Sequence, residues 1–392
     1  MTIIEFFDND FIENIASALL LNPDKVIFVG DDLDDMNAAK ARFEEITARR
    51  GLKTKFFPQP VEKTSLSSIV SALTKIINEN DDCHFDIEGG EDLYLVAVGI
   101  ISERFGDKIG LHRYNIEMDK LNDCDMDGKP NRVFRGQINV NDNIEIYGGK
   151  VIYRDADPID GTEDIEFTQD LFDDVSGMWD ICKRNTGNWN FLMKDIANRA
   201  TNINLSFIYL KTINNKDRAI LRELSANGFI KNLRIAPQDV TFECKNETVK
   251  KCILKAGTLL ELYIALACNG AKTACGERYF GDVKTGVFID WDGKQTGNDV
   301  ENEIDVLCTR GMIPYFISCK SGHVDSEELY KLTSVSDRFG GKYAQKILCV
   351  TDLEKHGIAT DSIKSRAKDM GIKIIEKLDI KSFSDIQNEL MI

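Results

Sequence analysis

The segment that decides the fold is residues 302–320, NEIDVLCTRGMIPYFISCK, in which two strand-like runs flank a short turn. The first run carries Glu303 and Asp305, and the second carries Ser318 and Lys320. Successive side chains of a strand point to opposite faces, so each of these two pairs shares one face. A hairpin built on this turn would therefore bring two carboxylates beside a lysine.

Such a set of side chains suits the hydrolysis of phosphodiesters. Carboxylates hold Mg²⁺ or Mn²⁺, which activates water and neutralises the developing charge. A nearby lysine can position or deprotonate the attacking water and stabilise the charged transition state. We therefore predict Glu303 and Asp305 as metal ligands and Lys320 as a catalytic residue. The alternative is an ordinary buried ion pair between Asp305 and Lys320.

A third carboxylate lies upstream, in the apolar run GTLLELYIAL at residues 257–266. Glu261 is the only charged residue between Ala256 and Ala267. A lone acid in an apolar helix needs a partner or a metal, so we predict Glu261 as a further catalytic metal ligand. The alternative is a capping box, because Thr258 stands three residues before Glu261.

The N-terminal part alternates strand-like and helix-like segments, which predicts an α/β fold with a parallel, doubly wound sheet. Ligand-binding loops of such a sheet follow the carboxyl ends of its strands. The predicted strands include residues 2–6, 25–30 and 53–57, the predicted helices include residues 10–21, 35–50 and 66–79, and the loops lie at residues 7–9, 30–32 and 88–92.

The loop after residue 88 contains Gly89 and Gly90. Paired glycines permit a tight turn and expose backbone amides to an anion, and a helix start adds a field that favours phosphate. Glu91 and Asp92 would repel a bare polyphosphate, whereas they could accept ribose hydroxyls or adenine amino groups. Neither GxGxxG nor GxxxxGK[ST] occurs, so dinucleotide and P-loop binding are not supported.

The middle of the chain departs from this alternation. Residues 138–146 and 151–153 read as strands of a hairpin joined through Gly148 and Gly149, and we place the first domain boundary near Asp155. Three helix-like stretches and then two short β-like runs follow up to residue 245. This order is similar to a winged helix, and a plain connector module is the alternative.

Bulk composition excludes several classes of protein. The net charge of −16 over 392 residues argues against coating nucleic acid through bulk electrostatics, although an enzyme can meet phosphate through bound metal. No apolar run is long enough to span a membrane, and the N-terminus lacks a basic leader. Ten cysteines include no CxxC pair, which excludes a zinc ribbon and indicates reduced thiols. We expect a cytoplasmic protein with no membrane association.

Basic residues surround the glycine pair at residues 340–341. A basic turn that contains glycine could contact a nucleic-acid backbone. The alternative is a solvated helix face. The four residues are Lys331, Arg338, Lys342 and Lys346.

The C-terminal pattern resembles the PD-(D/E)XK nucleases over residues 250–350. The matching parts are a helix with Glu261, a strand with Asp305, and a strand that ends in Ser318-Cys319-Lys320. In the family the residue two before the lysine is a second acid, whereas here it is Ser318. Either Glu303 supplies the missing carboxylate or the metal site is weaker, and an inactive relative is a further alternative.

The N-terminal pattern resembles a CARF domain, the Rossmann-like sensor of cyclic oligoadenylates in type III CRISPR systems. The resemblance rests on the Phe-Phe-Asp start, the Val-Gly-Asp-Asp turn and the Gly-Gly-Glu turn. It implies a homodimer with one cyclic ligand, most favourably cyclic tetra-adenylate, across its axis. The implied ligand contacts are Phe7, Asp8, Asn9, Gly30, Asp31, Gly89, Gly90 and Glu91.

Together the two resemblances imply an ancillary nuclease of type III CRISPR systems that cleaves RNA, DNA or both when its sensor binds ligand. We expect a CARF-like sensor at residues 1–154, a winged-helix-like connector at 155–245 and a PD-(D/E)XK domain at 246–392. The alternative function is a ligand-responsive regulator that binds DNA through the connector without cutting it. The low pI and the lack of a basic recognition helix count against that alternative.

Overall fold

The α/β class is confirmed by the structure, a computed structural model with three sheets. It describes residues 1–124, 132–133, 136–153, 162, 164–199, 207–211, 215–237, 239–294, 301–322, 324–351, 353 and 360–391. The predicted boundary near Asp155 lies outside these residues. Within the part of the chain that is described, no helix has both the length and the apolar character needed to cross a membrane.

The first sheet has the strand order β3-β2-β1-β4-β5-β6-β7. Its strands are β1 (Thr2–Phe6), β2 (Lys25–Gly30), β3 (Lys55–Pro60), β4 (Cys83–Asp86), β5 (Ile109–Asn115), β6 (Lys120–Asp123) and β7 (Arg132–Val133). The strands from β3 to β5 are parallel, and β6 and β7 add an antiparallel extension. The chain order reverses at β1 and β4, which is where doubly wound sheets bind ligands.

Four helices cover this sheet, in agreement with the predicted alternation. They are α1 (Phe11–Leu21), α2 (Leu33–Arg49), α3 (Leu66–Glu79) and α4 (Asp92–Phe105). The central strand β1 is buried along its length, as expected for a parallel strand covered on both faces. Helices α1 and α2 pack into a core that continues into the C-terminal half, whereas α3 and α4 enclose a separate core.

The predicted hairpin at residues 138–153 was wrong. Residues 140–146 form helix α5 (Val140–Ile146), because Asn139 accepts the amide hydrogen of Asp142 at 2.7 Å as an N-cap and Val140 and Ile144 bury one helix face. Strand β8 (Lys150–Ile152) does follow Gly149, but it pairs antiparallel with the C-terminal sheet. Residues 150–152 therefore belong structurally with that sheet.

The connector region contains three helices and a small antiparallel sheet of order β10-β11-β9. Its elements are α6 (Gln169–Arg184), α7 (Thr186–Arg199), β9 (Phe207–Lys211), α8 (Asn215–Ala226), β10 (Ile230–Ile235) and β11 (Asp239–Cys244). The three helices and the β10–β11 pair after them agree with the predicted order. Strand β9, which lies between α7 and α8 in the chain, was not predicted.

The third sheet has the strand order β16-β15-β14-β13-β12-β8. Its region contains α9 (Glu247–Leu254), α10 (Thr258–Gly270), β12 (Asp282–Asp290), β13 (Glu301–Arg310), β14 (Ile313–Lys320), α11 (Ser326–Gly340), β15 (Gln345–Val350), α12 (Thr360–Asp369), β16 (Ile372–Ile375) and α13 (Phe383–Leu390). The central hairpin β13–β14 was predicted from residues 302–320, whereas β16 and α13 were not predicted.

The two strands of this hairpin separate at one end. They pair from Arg310 opposite Ile313 to Val306 opposite Ile317, and the paired register stops there. Asp305 and Ser318 are therefore the first residues beyond the paired segment, at the mouth of a wedge between the strands.

Candidate active site and ligand pocket

The structure brings the predicted carboxylates and the lysine of the hairpin together. Glu303, Asp305, Ser318 and Lys320 line one cavity of about 210 Å³. Strand alternation explains the arrangement, since the members of each pair are two residues apart on one strand. The wedge between β13 and β14 leaves room for their side chains.

Asp305 is held in a fixed orientation at the mouth of the wedge. Its Oδ2 accepts the backbone N–H of Cys319 at 2.6 Å and the hydroxyl of Ser318 at 3.2 Å. Burial raises the pKa of the Asp305 carboxyl above its ordinary value, although these hydrogen bonds and Lys320 act in the opposite direction. Ser318 therefore orients Asp305 here instead of supplying a second acid.

Lys320 lies between two carboxylates. Its Nζ is 3.1 Å from Oε2 of Glu328 and 3.8 Å from Oδ2 of Asp305. Burial alone would lower the pKa of Lys320, but these two acids raise it above its ordinary value. The ammonium group is therefore kept charged at this position.

Glu328 was missed by the sequence reasoning. It lies in the first turn of α11, where Asp325 accepts the amide hydrogens of Glu327 and Glu328 as the N-cap. Acids are common in first turns because they interact favourably with the helix dipole, so Glu328 carried no distinctive signal. Its contact with Lys320 depends on how α11 packs against the sheet.

Glu261 lies close enough to this cluster to interact with it electrostatically. Burial, and next the negative charge of Asp305, raise the pKa of Glu261 to about 8. The alternative capping box is not formed, because the N-cap of α10 is Gly257 with φ +105° and makes no side-chain cap bond. Oε1 of Glu261 would lie 3.0 Å from a Cβ at Gly257, so the side chain folds back over the start of α10, and Glu261 does not line the 210 Å³ cavity itself.

Glu303 has a cationic neighbour that the sequence reasoning also missed. Oε1 of Glu303 is 2.7 Å from Nζ of Lys255, which follows helix α9. Both side chains are partly exposed, so the pair can open at small cost when a metal or substrate arrives.

The carboxylates fit a divalent cation in chemical type. No group of three or more His, Cys, Asp or Glu side chains among the described residues forms a ready metal cage. Mg²⁺, however, is commonly bound by one or two carboxylates with water and substrate phosphate. Burial, and next the charge of Asp305, raise the pKa of Glu261, and burial raises that of Asp305, so the ionised form of each carboxyl is disfavoured when no further cation is near. A divalent cation would supply that charge.

A second cavity, of about 570 Å³, lies at the carboxyl ends of the first sheet. Six of the eight predicted ligand contacts line it, namely Phe7, Asp8, Asn9, Asp31, Gly90 and Glu91. Gly30 and Gly89 do not line it, and their contact with a ligand stays a prediction. A side chain at Gly30 would lie 3.2 Å from Cβ of Phe7, and one at Gly89 would lie 2.9 Å from Oδ2 of Asp8. Their role is to let neighbouring loops approach closely.

Asp8 forms part of the floor of this pocket. Its carboxylate accepts the N–H of Asp10 at 2.9 Å and that of Gly90 at 3.4 Å. Gly90 has φ +94°, a conformation that glycine adopts without strain. Burial raises the pKa of the Asp8 carboxyl above its ordinary value.

Lys63 is the one basic side chain among the described residues that line this acidic pocket. Its Nζ lies 3.2 Å from Asp31 and 3.3 Å from Glu91, and it bridges two loops. It comes from the loop after β3, which shows no motif. Asp32, in the predicted loop at residues 30–32, also lines the pocket, and the other lining residues that the sequence reasoning missed are Leu33, Asp34, Asp35 and Tyr94.

Comparison with protein families identifies the C-terminal region. Residues 250–391 match the family described as Card1-like, endonuclease domain. This region is thus similar to an endonuclease domain, which confirms the predicted endonuclease class. No curated protein sequence is significantly similar to the chain.

Two solved structures share the fold along nearly the full length. Protein VC1899 from Vibrio cholerae is 16% identical with a TM-score of 0.77, covering 100% of this chain and 97% of that chain. Can2 from Sulfobacillus thermosulfidooxidans, solved in complex with cyclic tetra-adenylate, is 15% identical with a TM-score of 0.68, covering 99% and 96%. The arrangement of the three sheets is thus shared with solved structures.

Proposed function

We propose that this protein is a metal-dependent nuclease of type III CRISPR defence whose activity is switched on by a cyclic oligoadenylate, cyclic tetra-adenylate being favoured. The observation that carries the proposal is the convergence of Glu303, Asp305 and Lys320 in one cavity, with Glu261 near enough to interact electrostatically, in a region that matches the Card1-like endonuclease domain family. The fold shared with Can2, whose structure contains cyclic tetra-adenylate, supports the choice of ligand.

Glu303 and Asp305 of the nuclease pocket, together with the nearby Glu261, would hold Mg²⁺ or Mn²⁺. When bound, the metal supplies an activated water and neutralises charge on the phosphate. Asp305 is oriented by Cys319 and Ser318 before any ligand arrives. Lys320 places its ammonium group toward the scissile phosphate, and RNA, DNA or both are the substrates.

In the sensor pocket, the abundance of carboxylates selects the parts of the ligand that donate hydrogen bonds. Adenine amino groups and ribose hydroxyls would donate to acids such as Asp8 and Glu91. Lys63, which these loops already hold by two ion pairs, would turn to a ligand phosphate.

The mouth of this pocket supports a homodimer. Leu33 lines the pocket and is 45% exposed, and Leu95 and Val96 on α4 are 47% and 50% exposed. Leu95 and Val96 directly follow Tyr94, which lines the pocket, and exposed apolar residues beside a pocket are a mark of an interaction surface. Two copies that meet through this face would enclose one ring-shaped ligand between two pockets.

The decisive experiment measures cleavage of labelled RNA and DNA by the purified protein. Each reaction contains Mg²⁺ or Mn²⁺ and one member of a panel of cyclic oligoadenylates, or none. We expect cleavage only with metal and one preferred ring size, and none for Lys320→Ala. The matched control is Lys108→Ala, which changes a lysine in a turn of the N-terminal part that lines neither pocket.

Equal cleavage by the wild type and Lys320→Ala would exclude the cavity around Lys320 as the active site. A cleavage rate that is the same with and without each cyclic oligoadenylate would exclude the sensor role. Sequence-specific duplex binding without metal or cleavage would instead favour the DNA-binding regulator.

A further inference from the structure

Two arginines meet where the N-terminal and C-terminal parts of the chain adjoin. Arg42 comes from α2 and Arg338 from the last turn of α11. A Cβ at Gly148 would lie 3.6 Å from Nη1 of Arg42 and 3.9 Å from Nη2 of Arg338. The two guanidinium groups are thus neighbours around one point, beside a glycine with φ +88°.

Neither guanidinium has a polar partner among the residues that the structure describes. Arg42 buries its Nε without a hydrogen bond, and neither arginine forms a salt bridge in this part of the chain. Arg338 is exposed, so the space between the two groups opens to solvent. A buried donor left without an acceptor is costly, and it indicates a missing acceptor.

The other basic residues around Gly340 and Gly341 do have carboxylate partners. The three lysines of this turn are neutralised by carboxylates, so the turn is not a general basic surface. The pairs are Lys331 with Glu327, Lys342 with Glu13, and Lys346 with Asp337. Among the four basic residues of the turn, only Arg338 therefore has no carboxylate partner in the described structure.

Both arginines are held in place by aromatic rings. The guanidinium of Arg42 lies 5.2 Å from the ring centre of Phe11, and that of Arg338 lies 5.4 Å from Phe339. These contacts fix the planar groups before a ligand binds. Burial, and next the charge of Arg338, lower the pKa of Arg42, whereas Asp35 on the same helix raises it.

We infer that Arg42 and Arg338 clamp a phosphate group that comes from outside the chain. Two guanidiniums present a converging set of N–H donors, which matches the several oxygens of a phosphate better than it matches a single carbonyl. The phosphate arrives either in a nucleic-acid backbone or as a free phosphate ligand, and the chemistry of recognition is the same.

The position of the clamp suits a strand that extends away from the active site. Glu328, beside Lys320, and Arg338 are ten residues apart on α11, which corresponds to about 15 Å along the helix. A phosphate held there would also link α2 of the N-terminal part to α11 of the nuclease domain.

The first test measures thermal unfolding of the full chain without metal, in sodium phosphate and in sodium chloride of equal ionic strength. The variants are Arg42→Gln and Arg338→Gln. In chloride we expect each variant to unfold at or above the wild-type temperature, because a like-charge contact is removed. In phosphate we expect the wild type to gain several degrees more than either variant.

The second test measures binding of labelled single-stranded RNA and DNA of 20 nucleotides by fluorescence anisotropy. EDTA is present, so no cleavage interferes and failure of the proposed activity does not affect the result. Each arginine variant is expected to bind roughly tenfold more weakly. The slope of log affinity against log salt should become shallower by about 0.7 for each lost phosphate contact.

Arg104→Gln is the matched control, since Arg104 is exposed at the end of α4 and lies outside this site. Loss of strand binding confined to the Arg42 and Arg338 variants would assign the clamp to a nucleic-acid backbone. A phosphate-dependent gain lost only in these variants, with strand binding unchanged, would assign it to a free phosphate ligand. If both variants match Arg104→Gln in both tests, the inference is overturned.

Discussion

Nζ of Lys342 lies 2.8 Å from Oε1 of Glu13, and this ion pair joins the turn after α11 to helix α1, which begins just after the pocket residues Asp8 and Asn9. The hydroxyl of Tyr343 donates to the same carboxylate, and Asp10 accepts the backbone N–H of Lys342 at 3.2 Å. Asp8 of the pocket floor in turn accepts the N–H of Asp10. A continuous set of contacts thus runs from the ligand pocket to α11.

Glu13 makes this junction sensitive to pH. Burial raises the pKa of its carboxyl from an ordinary 4.5 to about 7, despite Lys342 and Tyr343. The folded state therefore binds the proton more tightly than the unfolded chain does. The resulting stability is present in full below about pH 4.5 and is lost as pH rises to about 7. We expect a loss of about 2 to 3 kcal/mol in the free energy of unfolding across this window.

Urea unfolding at several pH values measures this loss. Glu13→Gln should flatten the profile between pH 5 and 7, whereas Glu79→Gln, an exposed acid on α3, should leave it unchanged. Identical profiles for the wild type and Glu13→Gln would show that Glu13 titrates normally.

Lys342→Ala should uncouple the two ends of the chain. The nuclease pocket and the sensor pocket do not contain Lys342, so metal-dependent cleavage and ligand binding should remain. Coupling between sites is commonly worth about 1 to 3 kcal/mol, so we expect the fold activation by the preferred ring to fall about fivefold or more. Cleavage rates with and without ligand measure it, and Lys108→Ala, at a lysine that lines neither pocket, is the control. Unchanged activation would show that the signal takes another route.

Ser318 and Lys320 should differ sharply in their effect on cleavage. Lys320→Ala removes the ammonium group from the site of charge development, and we expect a loss of about 100-fold or more. Ser318→Ala removes one hydrogen bond to Asp305 while the Cys319 amide remains, so we expect a loss of about tenfold or less. Single-turnover cleavage distinguishes them. Equal losses would mean that Ser318 contacts the reacting groups itself.

Glu261→Gln should stabilise the protein while it inactivates the enzyme. Burial raises the pKa of Glu261 from an ordinary 4.5 to about 8, so without metal the stability that its proton contributes is lost as pH rises from about 4.5 to about 8. In EDTA the variant should be more stable than the wild type by about 2 to 4 kcal/mol at pH 8.5 and should differ little at pH 4.5. Added Mn²⁺ should stabilise only the wild type. A variant that is less stable than the wild type at pH 8.5 would show that Glu261 has a structural role instead.

The apolar face at the mouth of the pocket should control assembly. Leu95→Glu introduces a charge into a face that we propose two copies bury, so we expect monomers and loss of ligand response. Light scattering measures the mass, and Ile380→Glu, at a position 77% exposed in the nuclease domain, is the control. A monomeric wild type, or a dimeric Leu95→Glu protein, would contradict the proposed interface.

Local patterns predicted most of the elements that carry the site. The runs at residues 2–6 and 302–320 are strands because their apolar residues fit a buried sheet. The prediction failed at residues 140–146, where a four-residue spacing of buried residues and an Asn139 cap favour a helix. Short apolar segments fit both the helical and the strand periodicity, so a helix cap or a partner strand decides which structure forms.

The sequence by itself determined which residues are available for chemistry: the alternation that pairs Glu303 with Asp305 and Ser318 with Lys320, and the lone acid Glu261. Only the tertiary structure decided that Glu328 meets Lys320, that Lys63 enters the sensor pocket, and that Arg42 faces Arg338. The physical reason is the separation along the chain over which each kind of interaction acts. Alternation and capping act over a few residues, whereas these contacts join segments whose packing depends on the whole core.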